Sequence, residues 1–241
     1  RSRRSTLYIN LIIVIIMFII TFRSGDRAPL GLLILYGSIF FLIQKKLRKK
    51  LLILSGIFFI GIFGLIIQND SIYKRNVTDT IGQFKGKYFE KYKKSPNEIL
   101  IFSYNHEAHY KVALRMFLDK PLIGHGVKMF RFKCQEFDPG PDGCATHPHN
   151  TYIQLLAETG LFGFTLVMSL FLLIFYMLIK KIFFQEKKQI DLSGILLIGV
   201  FVNLWPIIPT GNFFNNWLSV MYFLPVAFYF YEKKIFIKNI D

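Results

Sequence analysis

The chain has only two cysteines among 241 residues, Cys134 and Cys144, and 15 Asp plus Glu against 30 Lys plus Arg. These scarcities exclude several chemistries. Two cysteines are too few for a zinc ribbon, and the sequence has no HExxH and no Asp-x-Asp pair. His106, His109, His147 and His149 lack the usual ligand spacing, so no metal site is expected and no cofactor is called for. Ionisable residues are also nearly absent from the middles of the long apolar runs. That argues against a transporter or flippase, which would carry charges and broken helices near the membrane midplane. No internal repeat is evident.

Apolar residues, by contrast, are abundant. The chain is 53% hydrophobic and 17% aromatic, with 27 Phe and a mean hydropathy of +0.40, which places it among membrane proteins. Six runs approach the roughly 20 residues that span a bilayer: Leu7–Phe22, Ala28–Ile43, Leu51–Ile67, Leu161–Ile179, Leu192–Ile208 and Phe213–Tyr231. The second is the least secure, because it holds Pro29, Gly31 and Gly37. The expected fold is all-α: a polytopic membrane protein of about six transmembrane helices with one large periplasmic loop.

A net charge of +15 would suit nucleic acid, but its distribution does not. Basic residues cluster between alternate runs, at Arg1-Ser2-Arg3-Arg4, Lys45–Lys50, Lys180-Lys181 with Lys187-Lys188, and Lys233-Lys234. This is the positive-inside pattern. It places both termini in the cytoplasm and residues 69–148 on the opposite side. The chain then divides into three helices over 1–68, the loop over 69–148, and three helices with a cytoplasmic tail over 149–241. Both cysteines fall in the loop, where an oxidising compartment favours a disulfide over two free thiols. The chain opens with Arg rather than Met, and no small-residue cleavage site follows the first apolar run, so it is read as the later part of a larger protein.

Within the loop, Ile72–Lys94 is polar and basic with interspersed aromatics, a surface helix or a disordered stretch. Residues 103–118 carry Ala108, Val112, Leu114, Met116 and Phe117 at helical spacing, which predicts an amphipathic helix on the bilayer surface ended by Asp119-Lys120-Pro121. Asp138-Pro139-Gly140-Pro141-Asp142-Gly143 is turn chemistry between the cysteines. Thr151-Tyr152-Ile153-Gln154 reads as a capping box opening the fourth membrane helix. His149 and Asn150 therefore sit at a helix N-terminus on the translocated side, where free N–H groups favour anions. Glu158, at interface depth, needs a partner such as Gln154. Asn212, Asn215 and Asn216 form the last outward turn, for sugar contact or for capping.

His149-Asn150, nine residues, then Gly160-Leu161-Phe162-Gly163 resembles the signature of the O-antigen ligase/polymerase superfamily. Pro121-Leu122-Ile123-Gly124-His125-Gly126 is similar to that family's PLxGxG segment. The resemblance covers residues from about Arg23 to the C-terminus. It implies a membrane glycosyltransferase in the bacterial inner membrane that takes a glycan from undecaprenyl pyrophosphate. The acceptor hydroxyl belongs to lipid A-core for a ligase, to a lipid-linked repeat unit for a polymerase, or to a protein. A non-catalytic membrane assembly factor is a weaker reading, under which His149 would be dispensable.

Such a reaction needs a base for the acceptor's proton and cations for the charge that develops on the pyrophosphate. His149 suits the base, since an unperturbed imidazole titrates near 6.5. His147 is placed to orient it or to touch substrate, and Asn150 to bind substrate. Arg27, in Arg23-Ser24-Gly25-Asp26-Arg27, resembles the family's loop arginine that holds pyrophosphate; Arg23 is a weaker candidate. The family's second arginine, some fifteen residues before PLxGxG, is replaced here by Asn105-His106-Glu107-Ala108-His109. Arg115, Lys128 and Arg131 are the candidates to supply that cation, each with an alternative reading as a solvated loop charge.

Overall fold

The structure is a computed structural model that describes residues 27–43, 70–84, 103–184 and 192–238, with positions 16, 18–21, 23, 24, 53, 56, 61 and 64. Most of the expected spans Leu7–Phe22 and Leu51–Ile67 lies outside the described residues. So do the basic clusters at 1–4, 45–50 and 187–188. The described elements are helical, with no strand among the described residues. The chain divides into two compact units, Arg1–Ser38 with Arg48–Ile101 and Ile39–Leu47 with Phe102–Asp241.

Helix α1 begins at Arg27 in the first unit and runs to Ile43, with its residues from Ile39 onward assigned to the second. Pro29 does not prevent it, because proline in the first turn removes an N–H that has no helical partner there. Asp70–Tyr73 (α2), a π-helical turn Lys74–Thr78, and Asp79–Phe84 (α3) make the described part of the polar segment helical.

The second unit contains α4 (Tyr104–Asp119), α5 (Phe130–Lys133) with a 3₁₀ turn Cys134–Phe137, α6 (Thr151–Phe184), α7 (Leu192–Asn203) and α8 (Asn216–Lys238). Ser103 caps α4, its hydroxyl accepting the His106 N–H at 3.4 Å. The helix ends before Pro121, as expected. The expected bilayer position of its apolar face is corrected by the structure. Val112, Ala113 and Met116 are buried with Phe130, Cys134 and Ala157, so that face packs against α6 and α5 inside the protein. Small residues on both helices, Ala113 and Ala157, permit the close contact. Cys134 and Cys144 are disulfide-bonded with Cα atoms 5.6 Å apart, and Cys144 packs on the same core.

By length and composition, α6 is the one helix among the described residues able to cross a membrane. Residues such as Leu166, Leu173 and Tyr176 stay exposed along it, the surface a lipid-facing helix presents. α7 is 12 residues long and stops short of the expected span to Ile208. Pro206 and Pro209 explain this, because proline disfavours helix in the residue before it. α8 contains Pro225 and continues past the expected Tyr231. Stacked aromatics join α6 to α7, with Phe171 and Phe201 centroids 5.1 Å apart.

Candidate functional site

Helix α6 is broken at Gly160, where φ is 62° and ψ is −160°. In an unbroken helix the N–H groups of Leu161 and Phe162 would reach the carbonyls of Ala157 and Glu158. They donate instead to the carbonyls of Pro121 and Leu122, at 2.8 and 3.2 Å. The two abandoned carbonyls accept from His125 and Gly126, at 3.1 and 2.8 Å. The Pro121–Gly126 turn thus supplies partners for both of these N–H groups and both carbonyls. Two glycines make this approach possible. A Cβ on Gly160 would collide with the backbone of Leu122 and Ile123, and one on Gly124 (φ +64°) with the backbone of Glu158 and Thr159. The two sequence motifs are therefore the two halves of one joint.

The joint also holds a buried carboxylate. Glu158 is 0% exposed and accepts from the backbone N–H groups of Lys128 and Phe130 and from Gln154 Nε2, each at 3.0 Å. Gln154 in turn donates to Asn212 Oδ1 at 2.9 Å and accepts from the Phe213 N–H at 3.0 Å. Three donors on one carboxylate satisfy a group that would otherwise be costly to bury. This network fixes α6 to the turn that follows α7.

The expected capping box is corrected. Asn150 is the N-cap: its Oδ1 accepts from Tyr152 and Ile153 N–H, at 3.0 and 3.1 Å, and its Nδ2 donates to the Pro206 carbonyl. Gln154 is occupied in the Glu158 network, and the Thr151 hydroxyl meets that of Thr210 at 2.9 Å. Thr210 fastens the whole segment. Its N–H donates to the His149 carbonyl at 2.9 Å, and its own carbonyl accepts from His147 Nε2 at 3.3 Å. A carbonyl only accepts, so the His147 proton is on Nε2, and Nδ1 accepts from the Thr146 hydroxyl at 3.0 Å. His149 itself has φ +61°, a left-handed conformation uncommon outside glycine and typical of positions the surroundings over-determine.

Four imidazoles converge there. The His149 ring lies 4.0 Å from His147, 5.1 Å from His106 and 5.4 Å from His109, centroid to centroid. Both α4 histidines reach it because a spacing of three places them on one helix face. Burial lowers all four from their ordinary value. His106 and His147 fall to about 4, burial acting first and the charge on His149 next. His109 is lowered by burial, then by His149, against an opposing pull from Asp142. His149 is lowered by burial alone. The cluster is therefore neutral at pH 7. His109 is 7% exposed, and its Nδ1 has no hydrogen-bond partner among the described residues. Among the described residues, no group of three His, Cys, Asp or Glu is placed to hold a metal ion.

The expected cations fall in different places. Arg131 is exposed, and its charge is felt at His147, lowering that imidazole after burial and its histidine neighbours. Arg115 lies nine residues along α4 from His106, about half a turn round the helix axis. Its guanidinium donates to the carbonyls of Phe137 and Asp138, at 3.0 and 2.6 Å, and meets the Asp138 carboxylate at 3.2 Å. Arg115 thus holds the disulfide-bearing loop. Lys128, with φ +62°, offers its backbone N–H to Glu158 while its side chain is exposed. Arg27 is exposed at the start of α1, in the other unit. Asn212 and Asn215 act as caps, accepting from Phe214 N–H and from Trp217 and Leu218 N–H.

Residues 12–168, well over half of the chain, match the family model described as O-antigen ligase. The chain belongs to the O-antigen ligase family. As an O-antigen ligase relative it is a membrane protein whose family acts on lipid-linked glycans. The ligase match takes in Arg27, the histidine segment and both halves of the Gly160 joint, and it stops within α6. Thr210 and Asn212, which fasten the histidine segment of this ligase relative, lie beyond the match. No curated protein and no solved structure matches the chain. The sequence grouped His106 and His109 with His147 and His149 only as a metal set to be dismissed; their i, i+3 spacing in a predicted helix was the signal that both face one side. Nothing in the sequence marks Thr210.

Proposed function

We propose that this chain carries the acceptor-activating half of a glycan transfer from undecaprenyl pyrophosphate to a hydroxyl of lipid A-core. The single observation behind this reading is a neutral, half-buried His149 held in a left-handed conformation among three further imidazoles at a helix N-terminus. In the proposed step His149 takes the acceptor's O–H proton as the oxygen attacks the anomeric carbon. The bond from that carbon to the pyrophosphate oxygen breaks, and undecaprenyl pyrophosphate departs with the additional negative charge. His147 sets the orientation of the base through Thr146 and Thr210. His106 and His109 offer uncharged hydrogen-bonding nitrogens to sugar hydroxyls. Arg131 neutralises the pyrophosphate, with Lys128 as a further cation; Arg27 is a pyrophosphate ligand as the family resemblance implies; and Asn150 and Arg115 hold the scaffold.

A pyrophosphate is a good leaving group, so no strong general acid is required. Because arginine and lysine can balance the leaving-group charge, the transfer is proposed to be metal-independent. The setting is the bacterial inner membrane, with residues 69–148 in the periplasm and both ends of this chain in the cytoplasm. A polymerase, with a lipid-linked repeat unit as acceptor, uses the same chemistry.

The test is in vitro transfer by purified full-length protein in lipid, with lipid-linked donor and either acceptor, after exhaustive chelation. Wild type should transfer to lipid A-core, and His149→Ala should lose at least a hundredfold in rate, the lower range for a general base. Undiminished transfer by His149→Ala at normal abundance would overturn the base. Activity restored only by magnesium or manganese would overturn metal independence. Transfer to the lipid-linked unit alone would make the protein a polymerase.

A further inference from the structure

Several large, strongly exposed apolar residues gather at the Pro121–Gly126 turn. Leu118 is 73% exposed, Leu122 68% and Ile123 75%. Phe162, whose N–H donates to the Leu122 carbonyl, is 70% exposed. Water-facing turns are normally built from polar residues and glycine, and a cluster of large aliphatic side chains on a rigid turn calls for an occupant. The turn cannot swing to hide them, because four backbone hydrogen bonds and two glycine contacts fix it to the break in α6.

We propose that this turn is inserted in the phospholipid leaflet on the catalytic side, with Leu122 and Ile123 in the acyl region and Lys120 and Lys128 on anionic headgroups. Two observations identify lipid as the occupant. First, the turn is continuous with a lipid surface. It is hydrogen-bonded to Leu161 and Phe162, the first residues of the apolar stretch of α6, the one described helix able to span. Where that stretch leaves the hydrocarbon, the turn lies beside it. Second, the charges suit a leaflet. Lys120 and Lys128 are exposed on either side of the apolar residues, and the nearby Asp119 carboxylate lies 3.4 Å from His125 Nε2. Apolar side chains flanked by lysines are the composition of interfacial segments. The amphipathic contact expected of residues 103–118 is thus made by the turn after that helix.

The consequence for the site is one of depth. His125 and Gly126 donate to the carbonyls of Ala157 and Glu158, so an anchored turn fixes the height of the residues that follow His149. The histidine cluster would then sit at the headgroup layer, where a lipid-borne pyrophosphate lies.

The experiment is a depth measurement on full-length protein in phosphatidylethanolamine/phosphatidylglycerol vesicles. Nitroxide labels are placed singly at Ile123→Cys, at Leu122→Cys as an independent second site, and at Gln135→Cys on the exposed disulfide loop. Collision rates with oxygen, which concentrates in the bilayer, are compared with those of a water-soluble nickel chelate. Labels at 122 and 123 should favour oxygen several-fold over the label at 135. Replacing phosphatidylglycerol with phosphatidylcholine should shrink that contrast. Nickel access at 122 and 123 equal to that at 135 would place the turn in water. Exclusion of both reagents would mean that protein covers it. Either result overturns the proposal, and an unchanged contrast without anionic lipid would overturn the headgroup role of the lysines.

Discussion

Gly160→Ala is the substitution that most directly tests the joint in α6. The conformation at Gly160, φ 62° and ψ −160°, is one that only glycine adopts readily, and forcing another residue into it costs about 1–3 kcal/mol. The added methyl also meets the carbonyl of Leu122, which already accepts from Phe162, and the N–H of Ile123. Such overpacking costs roughly another 1–3 kcal/mol. Together the penalty is roughly 2–6 kcal/mol, a large part of the 5–15 kcal/mol that holds a typical protein folded. The chain would relieve it by straightening the helix and releasing the Pro121–Gly126 turn. That in turn would free the Glu158 network and shift His149. Gly37→Ala is the control, since nothing lies within 4 Å of a Cβ there and the helix φ is ordinary. Thermal unfolding in lipid nanodiscs, followed by circular dichroism, should show Gly160→Ala melting many degrees lower and Gly37→Ala unchanged or slightly higher. Glycan transfer should be lost in the first and retained in the second. A Gly160→Ala protein with wild-type melting and transfer would refute the idea that the break is required.

Four further outcomes follow. His106 and His147 titrate near 4 in the folded chain and near 6.5 when unfolded, so the unfolded state binds more protons between those values; stability should fall as pH drops from about 6.5 towards 4 and be flat above, measured by denaturation at fixed pH. Transfer should lose rate on acidification only below the ordinary imidazole range, because burial lowers His149; a fall that sets in already above pH 7 would contradict it. Arg27→Ala should impair transfer severely and Arg27→Lys should restore it partly, because an ammonium cannot reproduce bidentate phosphate contact; equal rates in all three would leave Arg27 a headgroup anchor. Thiol labelling of unreduced membranes should leave Cys134 and Cys144 unmodified, and their replacement by serine should cost about 2–3 kcal/mol for so short a loop; full labelling of both would mean the bridge is absent in cells.

The sequence was informative where the physics is local. The disulfide-bearing turn, the stop at Pro121 and the start of the long helix near Thr151 all follow from residue chemistry at known spacing. The motif glycines were legible as motifs, but not as two surfaces in contact. That contact joins positions 121–126 to 157–162, and no periodicity encodes it. The capping assignment failed for a related reason. Thr151 and Gln154 have the right types for a box, yet Thr210 and the Glu158 network, distant in sequence, claimed their side chains and left the cap to Asn150. α4 was readable as amphipathic, but not the identity of the apolar surface it would meet. The six-span count, like the orientation of the termini, rests on hydropathy and charge pattern.

The break at Gly160 also has a mechanical consequence. A continuous helix transmits tilt along its length. Here the upper piece, 151–159, is clamped by Thr210, Asn212 and the Pro121–Gly126 turn, and the lower piece, 161–184, meets it at a glycine. Because Leu161 and Phe162 at the top of the lower piece donate to Pro121 and Leu122, tilt of that piece would load the Pro121–Gly126 turn rather than pass straight up the helix axis. The turn is thus the mechanical link between the apolar helix and the histidine segment.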